Sequence, residues 1–286
     1  MDIQDGGGGE MDKKTAKIIG ISTGIIVLLL LIALGLMFGR KGRVGRFPLK
    51  GWEIVKVKYD DLIYEKKDGT WYLTSPHLYR VDSTKMQEKL NILKDFRIGE
   101  FIDRGNLGDY GLDKEHRSKL VAYIKKGDSL IFYLGKNGPV SLSFYLTTDT
   151  VNVHLGYGFR TPLFPKNVQV LLDKKVYEFT SVDSMKVYKN DKLLKRYRDT
   201  TYTKELNDFL PRLRAYEILW DIKDIKPVYT VKVYTPMGEF EDRIAPDTKN
   251  KNDYIVLRDS VGLRVPGFRI KRYLNPPDSR KIRTVD

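Results

Sequence analysis

The sequence has 286 residues, 41% of them hydrophobic, and carries a formal net charge of +14 at pH 7. It contains no cysteine, which excludes disulfides, thiolate catalysis and cysteine-ligated metal sites. The length allows one large domain or two of ordinary size, and the positive charge favours anionic partners or surfaces.

Residues 18–38 form an apolar stretch without a charged side chain. As a helix, these 21 residues span about 31 Å, which matches the hydrocarbon core of a bilayer. The stretch exceeds the apolar region of a cleaved signal peptide, and no small-residue cleavage site follows it. We therefore predict a flexible N-terminal tail at residues 1–17 and an uncleaved transmembrane signal-anchor helix at 18–38. Both Met1 and Met11 remain open as the native start.

Small residues recur at every fourth position near the start of this helix, at Ala16, Gly20 and Gly24. Such a stripe permits close packing of two helices in a membrane. Glycine is also common in membrane helices that have no partner. The stripe is therefore a candidate contact with another membrane helix.

Residues 39–50 form a basic linker. Its cations are candidate contacts with an anionic surface, each worth about 1 kcal/mol at most near charged headgroups. A merely solvated linker is the alternative. The residues concerned are Arg40, Lys41, Arg43, Arg46 and Lys50.

Residues 51–172 are predicted to form a first module of antiparallel sheet plus helix. Short β-branched and aromatic runs flank Asp68-Gly69, which is typical of a hairpin turn, and Ser75-Pro76 ends the returning strand. Asp82 or Ser83 can cap a following helix. Its apolar positions are Met86, Leu90, Leu93 and Phe96.

Residues 173–275 repeat this order and predict a second, similar module, followed by a C-terminal tail at 276–286. The turn at Asn190-Asp191 stands where Asp68-Gly69 stands in the first module, and later segments match at an offset of about 110–120 residues throughout. The fold class is therefore α+β, with one N-terminal transmembrane helix followed by two tandem, internally duplicated modules.

No catalytic constellation is readable. The histidines His77, His116 and His154 are dispersed, and we expect none of them to lie with another histidine or a carboxylate three or four residues away in a ligand pattern, so no metal site is readable. Acidic pairs such as Asp60-Asp61 lie in turns. We therefore expect no enzyme, no cofactor and no metal.

Lysine and arginine alternate with aromatic residues at 192–198 and 268–283. Such segments suit anionic lipid, cell-wall glycan, an acidic protein or nucleic acid. No helix-turn-helix, zinc module or RNP motif accompanies them, which argues against nucleic acid.

Two motifs carry a family resemblance. The segments "DGTWYLTSP", "VDSTKMQEKLNILKDF" and "LGDYGLDKEHRSKLVAYI" resemble a family of bacterial envelope proteins of unknown function, with one N-terminal span and modules carrying W-x-L-x-x-P and Y-G-L-D. The second module lacks both motifs. The matching positions are Trp71, Leu73, Pro76, Asp82, Tyr110, Gly111, Leu112 and Asp113.

The resemblance implies an accessory protein encoded with ABC transporters of the gliding-motility or auxiliary kind. We expect a non-catalytic, single-pass inner-membrane scaffold subunit that makes protein–protein contacts, with its modules outside the cytoplasm. The alternative is an extracytoplasmic module that binds anionic lipid or cell-wall glycan. The charges flanking the span leave orientation open, because translocation of long domains depends little on them.

Overall fold

The computed structural model describes residues 46–198 and 200–274. Within these ranges the chain is sheet-rich, with two sheets, three α-helices and three 3-10 helices. None of the described helices is long and apolar enough to cross a bilayer. The predicted tail at 1–17, the span at 18–38, Ala16, Gly20 and Gly24 lie outside the described residues.

The first sheet is built from nine strands, namely β1 (Ile54–Tyr59), β2 (Leu62–Lys67), β3 (Thr70–Ser75), β4 (Tyr79–Arg80), β5 (Arg97–Arg104), β6 (Ser118–Ile124), β7 (Ser129–Asn137), β8 (Ser143–Thr147) and β9 (Asn152–Tyr157). Their order is β4–β3–β2–β1–β6–β7–β8–β9–β5. Beyond the edge strand β5, Arg46 and Ile98 exchange two backbone hydrogen bonds.

The second sheet is built from seven strands, namely β10 (Ser184–Lys189), β11 (Lys192–Tyr197), β12 (Glu217–Leu219), β13 (Tyr229–Thr235), β14 (Gly238–Pro246), β15 (Asp253–Arg258) and β16 (Val261–Pro266). Their order is β11–β10–β13–β14–β15–β16–β12. The helices are α1 (Ser83–Asp95), α2 (Thr200–Phe209) and α3 (Gly267–Leu274), and the 3-10 helices are Gly108–Tyr110, Val168–Val170 and Leu210–Arg212.

Interactions between residues close in sequence explain the turn between β2 and β3 and the start of α1. Asp68 and Gly69 adopt φ angles of 49° and 81°, which suit the tight turn between β2 and β3. Asp82 caps α1, because its carboxylate accepts hydrogen bonds from the backbone N–H groups of Thr84 and Lys85 at 3.0 and 3.2 Å. Both sequence predictions are confirmed. The Ser75–Pro76 peptide bond is cis.

The two sheets share a strand order. Strands β2, β1, β6, β7, β8, β9 and β5 of the first sheet match β11, β10, β13, β14, β15, β16 and β12 of the second, in that sequence of neighbours. Each sheet also has its helix, α1 or α2, in the same place along the chain. Strands β3 and β4 have no counterpart in the second sheet.

This order corrects the predicted offset. Tyr59 pairs with Leu62 as Lys189 pairs with Lys192, so the first hairpins correspond at an offset of 130 residues. The turn at Asn190-Asp191 therefore matches Asp60-Asp61, and the predicted match to Asp68-Gly69 is wrong. Later strands, such as β6 and β13, which start at Ser118 and Tyr229, do fall near the predicted offset. The additional strands β3 and β4 cause the difference.

The residues group into two compact units. One unit contains Lys94–Arg117 and Tyr133–Thr161, and the other contains Trp52–Leu93, Ser118–Phe132 and the chain from Pro162. In the first unit, the ring of Phe144 packs on Phe96 and Phe159, at centroid distances of 6.1 and 4.1 Å. The predicted modules, 51–172 and 173–275, follow the sheets rather than these units, and their boundaries stay a prediction.

The core of the second unit is built on both sheets. Tyr59 of β1 and Tyr64 of β2 pack on the ring of Phe164, at centroid distances of 5.4 and 5.2 Å. The predicted apolar face of α1 is buried, as are Leu206, Leu210 and Leu213 in and after α2. Burying these alternating and helical apolar positions is the main driving force for the fold.

We predict that Leu73→Ala destabilises the full-length protein by about 2–5 kcal/mol, because Leu73 is fully buried on β3 and truncation leaves a cavity. Leu78→Ala is the matched control, since this leucine on the same segment is 66% exposed. It should change stability by less than about 0.5 kcal/mol. Urea unfolding in detergent, followed by circular dichroism, measures both. Equal effects of the two variants would contradict the placement of β3.

Candidate functional site

The W-x-L-x-x-P segment, residues 71–76, lies in and directly after β3, and the short strand β4 follows it. The side chains of Trp71 and Leu73 are buried, while Pro76 and Leu78 are exposed. Strand β4 pairs back on β3, with Tyr72 opposite Arg80 and Leu73 opposite Tyr79. The motif therefore builds a hairpin with one buried face and an exposed tip.

A cluster of aromatic rings lies beside this hairpin. The ring of His77 stacks on Trp220 at a centroid distance of 4.4 Å and an interplanar angle of 13°. Tyr79 contacts Trp220 edge-on at 5.6 Å. Burial, together with the smaller effect of the charge of Asp173, raises the pKa of Tyr79 to about 12, so this phenol is neutral at pH 7.

Arg80 ties the hairpin to the segment that leads into the second sheet. Its Nε donates to Asp173 Oδ2 at 3.0 Å, and its Nη1 lies 2.6 Å from Glu178 Oε1. Backbone hydrogen bonds join Asp82 to Leu171 and Asp173 to Arg80. Burial alone would lower the pKa of Arg80, but the hydrogen bond and charge of Asp173 outweigh it and raise that pKa.

A second arginine holds the same segment from the other side. Arg258 of β15 donates to the carbonyl of Val176, and its Nη2 donates to Asp242 Oδ1 at 2.7 Å. Its guanidinium lies 5.6 Å from the ring centroid of Tyr177. Asp242 is only 1% exposed. Arg258 thus neutralises a buried carboxylate and fixes the segment of residues 171–178, which we call the connecting segment.

A cavity of about 550 Å³ lies at one end of the second sheet. Lys226, Lys249 and Arg264 supply cations to its lining, while Asp221, Asp224 and Asp247 supply carboxylates. Its apolar lining residues are Leu219, Ile225, Val228, Pro246 and Ile255. The equal numbers of opposite charges leave this lining without a net charge.

The deepest charges of the cavity neutralise one another. Arg264 Nε lies 2.6 Å from Asp247 Oδ2, and its Nη1 contacts Glu217. Next to this pair, Tyr216 donates to Asp253 Oδ2 at 2.5 Å. Burial, together with the smaller effect of the hydrogen bond to Asp253, raises the pKa of Tyr216 to about 12. Because Asp247 is held by Arg264, it is poorly suited to act as a general base.

The Y-G-L-D motif forms a compact turn in the other unit. Tyr110 ends the 3-10 helix Gly108–Tyr110, and Gly111 follows in the left-handed region at φ 64°. Leu112 is fully buried, while Tyr110 is half-buried and donates to Asp103 at 3.2 Å. A Cβ at Gly135 of β7 would collide with Tyr110 and Leu112, so glycine there permits the turn to pack on the strand.

Asp113, the last residue of this motif, lies close to a histidine, which the sequence analysis did not expect. Asp113 lies three residues before His116, and its Oδ1 is 2.8 Å from His116 Nδ1. With Glu115, these residues place three possible ligand atoms within 4.8 Å of one another. The hydrogen bond between them lowers the pKa of Asp113 and raises that of His116.

Asp113 also has a structural use. It accepts hydrogen bonds from the backbone N–H groups of Glu115 and His116, at 3.1 and 3.2 Å, as in an Asx turn. His116 is exposed. We assign the cluster to the turn. The expectation that no histidine lies close to a carboxylate at this spacing is wrong, and the spacing in the sequence was sufficient to find the pair.

The structure separates the predicted site residues into groups. Trp71, Leu73, Pro76 and Asp82 lie in one unit, and the Y-G-L-D residues lie in the other. Of the predicted basic contacts, Arg46 lies in the bridge to β5, and Lys50 lies 5.1 Å from the ring centroid of Phe47. Arg40, Lys41 and Arg43 lie outside the described residues.

Sequence reasoning missed the ionic contacts around the connecting segment. Arg258 lies 82 residues from Val176, and Arg80 lies 93 residues from Asp173. Trp220 and the cavity were also missed. The sequence gives one indication of these ionic contacts, because Asp242 and Asp247 are acidic residues that lie in or directly after a strand.

A family model supplies the comparison with known proteins. The model described as Domain of unknown function (DUF4340) matches residues 71–229, which is more than half of the 286 residues. The matched range begins at Trp71 and includes both motifs. No curated protein matches the chain, and no solved structure does.

We predict that Arg258→Met destabilises the protein by about 3 kcal/mol, because it leaves the buried charge of Asp242 without its cation. The defect should shrink when Asp242→Asn is added to Arg258→Met, because the unpaired negative charge is then absent. Lys66→Met is the matched control, since it removes an exposed ion pair with Glu53 and should leave the unfolding midpoint unchanged. Urea unfolding of the three variants at pH 7 tests these expectations. A defect of the same size in the single and the double variant would contradict the assignment.

Proposed function

The chain belongs to the DUF4340 family of domains of unknown function, and from that premise we propose that it is a non-catalytic accessory or scaffold subunit of a bacterial envelope complex. The complex is associated with an ABC transporter, as the resemblance of the two motifs implies. The chain is anchored in the inner membrane by residues 18–38, with its modules outside the cytoplasm.

The observation that carries this proposal is the exposed apolar character of one edge strand in each sheet, β5 and β11. Phe101 and Ile102 project from β5, and Leu193 and Leu194 from β11, all of them exposed. Soluble proteins usually blunt or cover such edges, and partner strands or surfaces can bind them. Exposed apolar groups on an edge strand of each sheet support a role in assembly.

The use of the buried charges supports a non-catalytic role. Arg80, Arg258 and Arg264 are all engaged by carboxylates, and the first two hold the connecting segment in place. Catalytic acids and bases need a proton-accepting or proton-donating group directed at a substrate. In the described part of the chain, these three arginines and their carboxylate partners are instead engaged with one another.

A second candidate function is binding of anionic lipid or glycan, favoured by cations that lie over aromatic rings close to the predicted linker. Lys50 lies over Phe47, and Lys126 lies 5.5 Å from the ring centroid of Trp52. Both rings are partly exposed. Such pairs suit the headgroup region of a membrane.

We predict that the tagged protein, purified in mild detergent, recovers transporter subunits in stoichiometric amounts at high salt, because the span contributes apolar contacts that salt does not screen. Gly20→Ile with Gly24→Ile should abolish recovery by blocking close helix packing. Ile21→Leu with Ile25→Leu is the matched control and should not. Recovery of the protein alone, or only of salt-labile lipid or glycan, would overturn the accessory role and favour the second candidate.

The orientation has its own test. If the modules lie outside the cytoplasm, protease added to intact spheroplasts should cut the chain beyond Lys50. A cytoplasmic protein should be cut only after lysis and serves as the control. Protection of the modules in intact spheroplasts would place them in the cytoplasm and contradict the proposed location.

A further inference from the structure

The hairpin of β10 and β11 is strongly cationic. Residues 186–198 contain six lysines and arginines and a single acidic residue, Asp191. Within the described residues, neither Lys192 nor Arg196 forms an ion pair. The hairpin therefore carries two cations, those of Lys192 and Arg196, that are not paired with a described carboxylate.

Its outer strand is an edge. β11 ends the strand order of the second sheet, and no described strand pairs with its outer side. Leu193 and Leu194 are 56% and 48% exposed. Leu194 is an extra residue in the pairing of β11 with β10, where Val187 lies opposite Lys195 and Tyr188 opposite Leu193. Exposed aliphatic groups thus lie among the cations.

In the first sheet, the corresponding outer side is occupied by a further strand. Its matching strand, β2, pairs on its outer side with β3. In that pairing, Leu73 and Trp71 of β3 are buried, while Tyr72 between them faces the other side of the sheet, opposite Glu65. Strand β3 is part of the insertion that the second sheet lacks, so the same outer edge is paired in one sheet and unpaired in the other.

The pairing register of β11 indicates which side chains an added strand would need on each face of the sheet. Allowing for the extra residue Leu194, Arg196 corresponds to Glu65, on the face away from the core, because it pairs with Lys186 next to the buried Val187. Tyr197 pairs with the buried Met185 and so lies on the core face. An added strand would place acidic side chains opposite Arg196 and apolar side chains on the core face.

We propose that the outer edge of β11 binds an extended segment of a partner protein, with alternating acidic and apolar residues, as an added β-strand. The inference rests on the proposed function and names the contact surface of the module. A second copy of this chain does not fit, because pairing of two β11 edges would bring their cations together. A membrane surface would use the cations but not the backbone groups of the edge.

A synthetic octapeptide of alternating glutamate and valine, labelled with fluorescein, tests the proposal on the full-length protein in neutral detergent. Anisotropy should report saturable binding that weakens with salt. Hydrogen exchange should slow upon peptide addition in residues 192–197, because an added strand bonds to backbone N–H groups. An alternating lysine–valine peptide should not bind.

Variants locate the contact. Lys192→Glu with Arg196→Glu should weaken binding at least about tenfold. Lys166→Glu with Lys251→Glu is the matched control, since both lysines are exposed, lie outside the hairpin and make the same change in net charge. It should alter affinity less than about twofold. Unchanged unfolding midpoints establish that both variants fold.

Equal binding by the two double variants, equal binding of the lysine–valine peptide, or binding without protection of residues 192–197 would overturn the proposal. Binding of the protein to anionic vesicles with no binding of the glutamate–valine peptide would also overturn it and assign the hairpin to a membrane surface. If the peptide fails while transporter subunits co-purify, the accessory role stands without this contact. If the peptide binds and the subunits do not co-purify, the accessory role fails instead.

Discussion

The pairing of Arg80 with Asp173 is the contact on which the arrangement around the motif hairpin depends. Strand β4 has two residues, too few to be stable by itself. It is held because Arg80 binds Asp173 and Glu178, while backbone hydrogen bonds join residues 80–82 to 171–173. The chain between the two sheets is thereby fixed on the hairpin before it enters β10.

Arg258 completes this arrangement from the second sheet. It binds the carbonyl of Val176 and the buried Asp242 at the same time. The connecting segment is therefore held by one arginine from each sheet, and each guanidinium is balanced by a carboxylate. Removing either cation leaves a carboxylate unbalanced, and for the buried Asp242 that costs more than removing an exposed ion pair. The W-x-L-x-x-P motif lies on β3, the strand with which β4 and its Arg80 pair.

The two sheets share a strand order, but the matching strands β2 and β11 differ in what lies on their outer side. In the first sheet, β3 covers the outer side of β2, and Trp71 and Leu73 extend the core there. In the second sheet, β11 is the last strand, and its aliphatic side chains are exposed among cations. The positive charge of the chain accordingly has two uses. Partly buried arginines neutralise carboxylates within the fold, whereas Lys192 and Arg196 form no ion pair with a described residue.

Local patterns made much of the fold predictable. The turn at Asp68-Gly69, the cap at Asp82 and the apolar face of α1 all follow from residues at most a few positions apart, so the sequence alone specifies them. The repeat was recognised for the same reason, since each hairpin and helix has its own local pattern. The pair of Asp113 and His116 is equally local, and its spacing of three residues was open to inspection.

The sequence by itself determined the kinds of elements, their order and the excess of positive charge. Only the tertiary structure decided which strands become neighbours. That choice also decided the insertion of β3 and β4, the contact of His77 with Trp220 and the partners of Arg80 and Arg258. Strand alternation specifies which face of a strand is buried but not which strand lies beside it. The contacts of Arg80 with Asp173, 93 positions apart, and of Arg258 with Val176, 82 positions apart, depend on that choice of neighbour, so no local pattern encodes them.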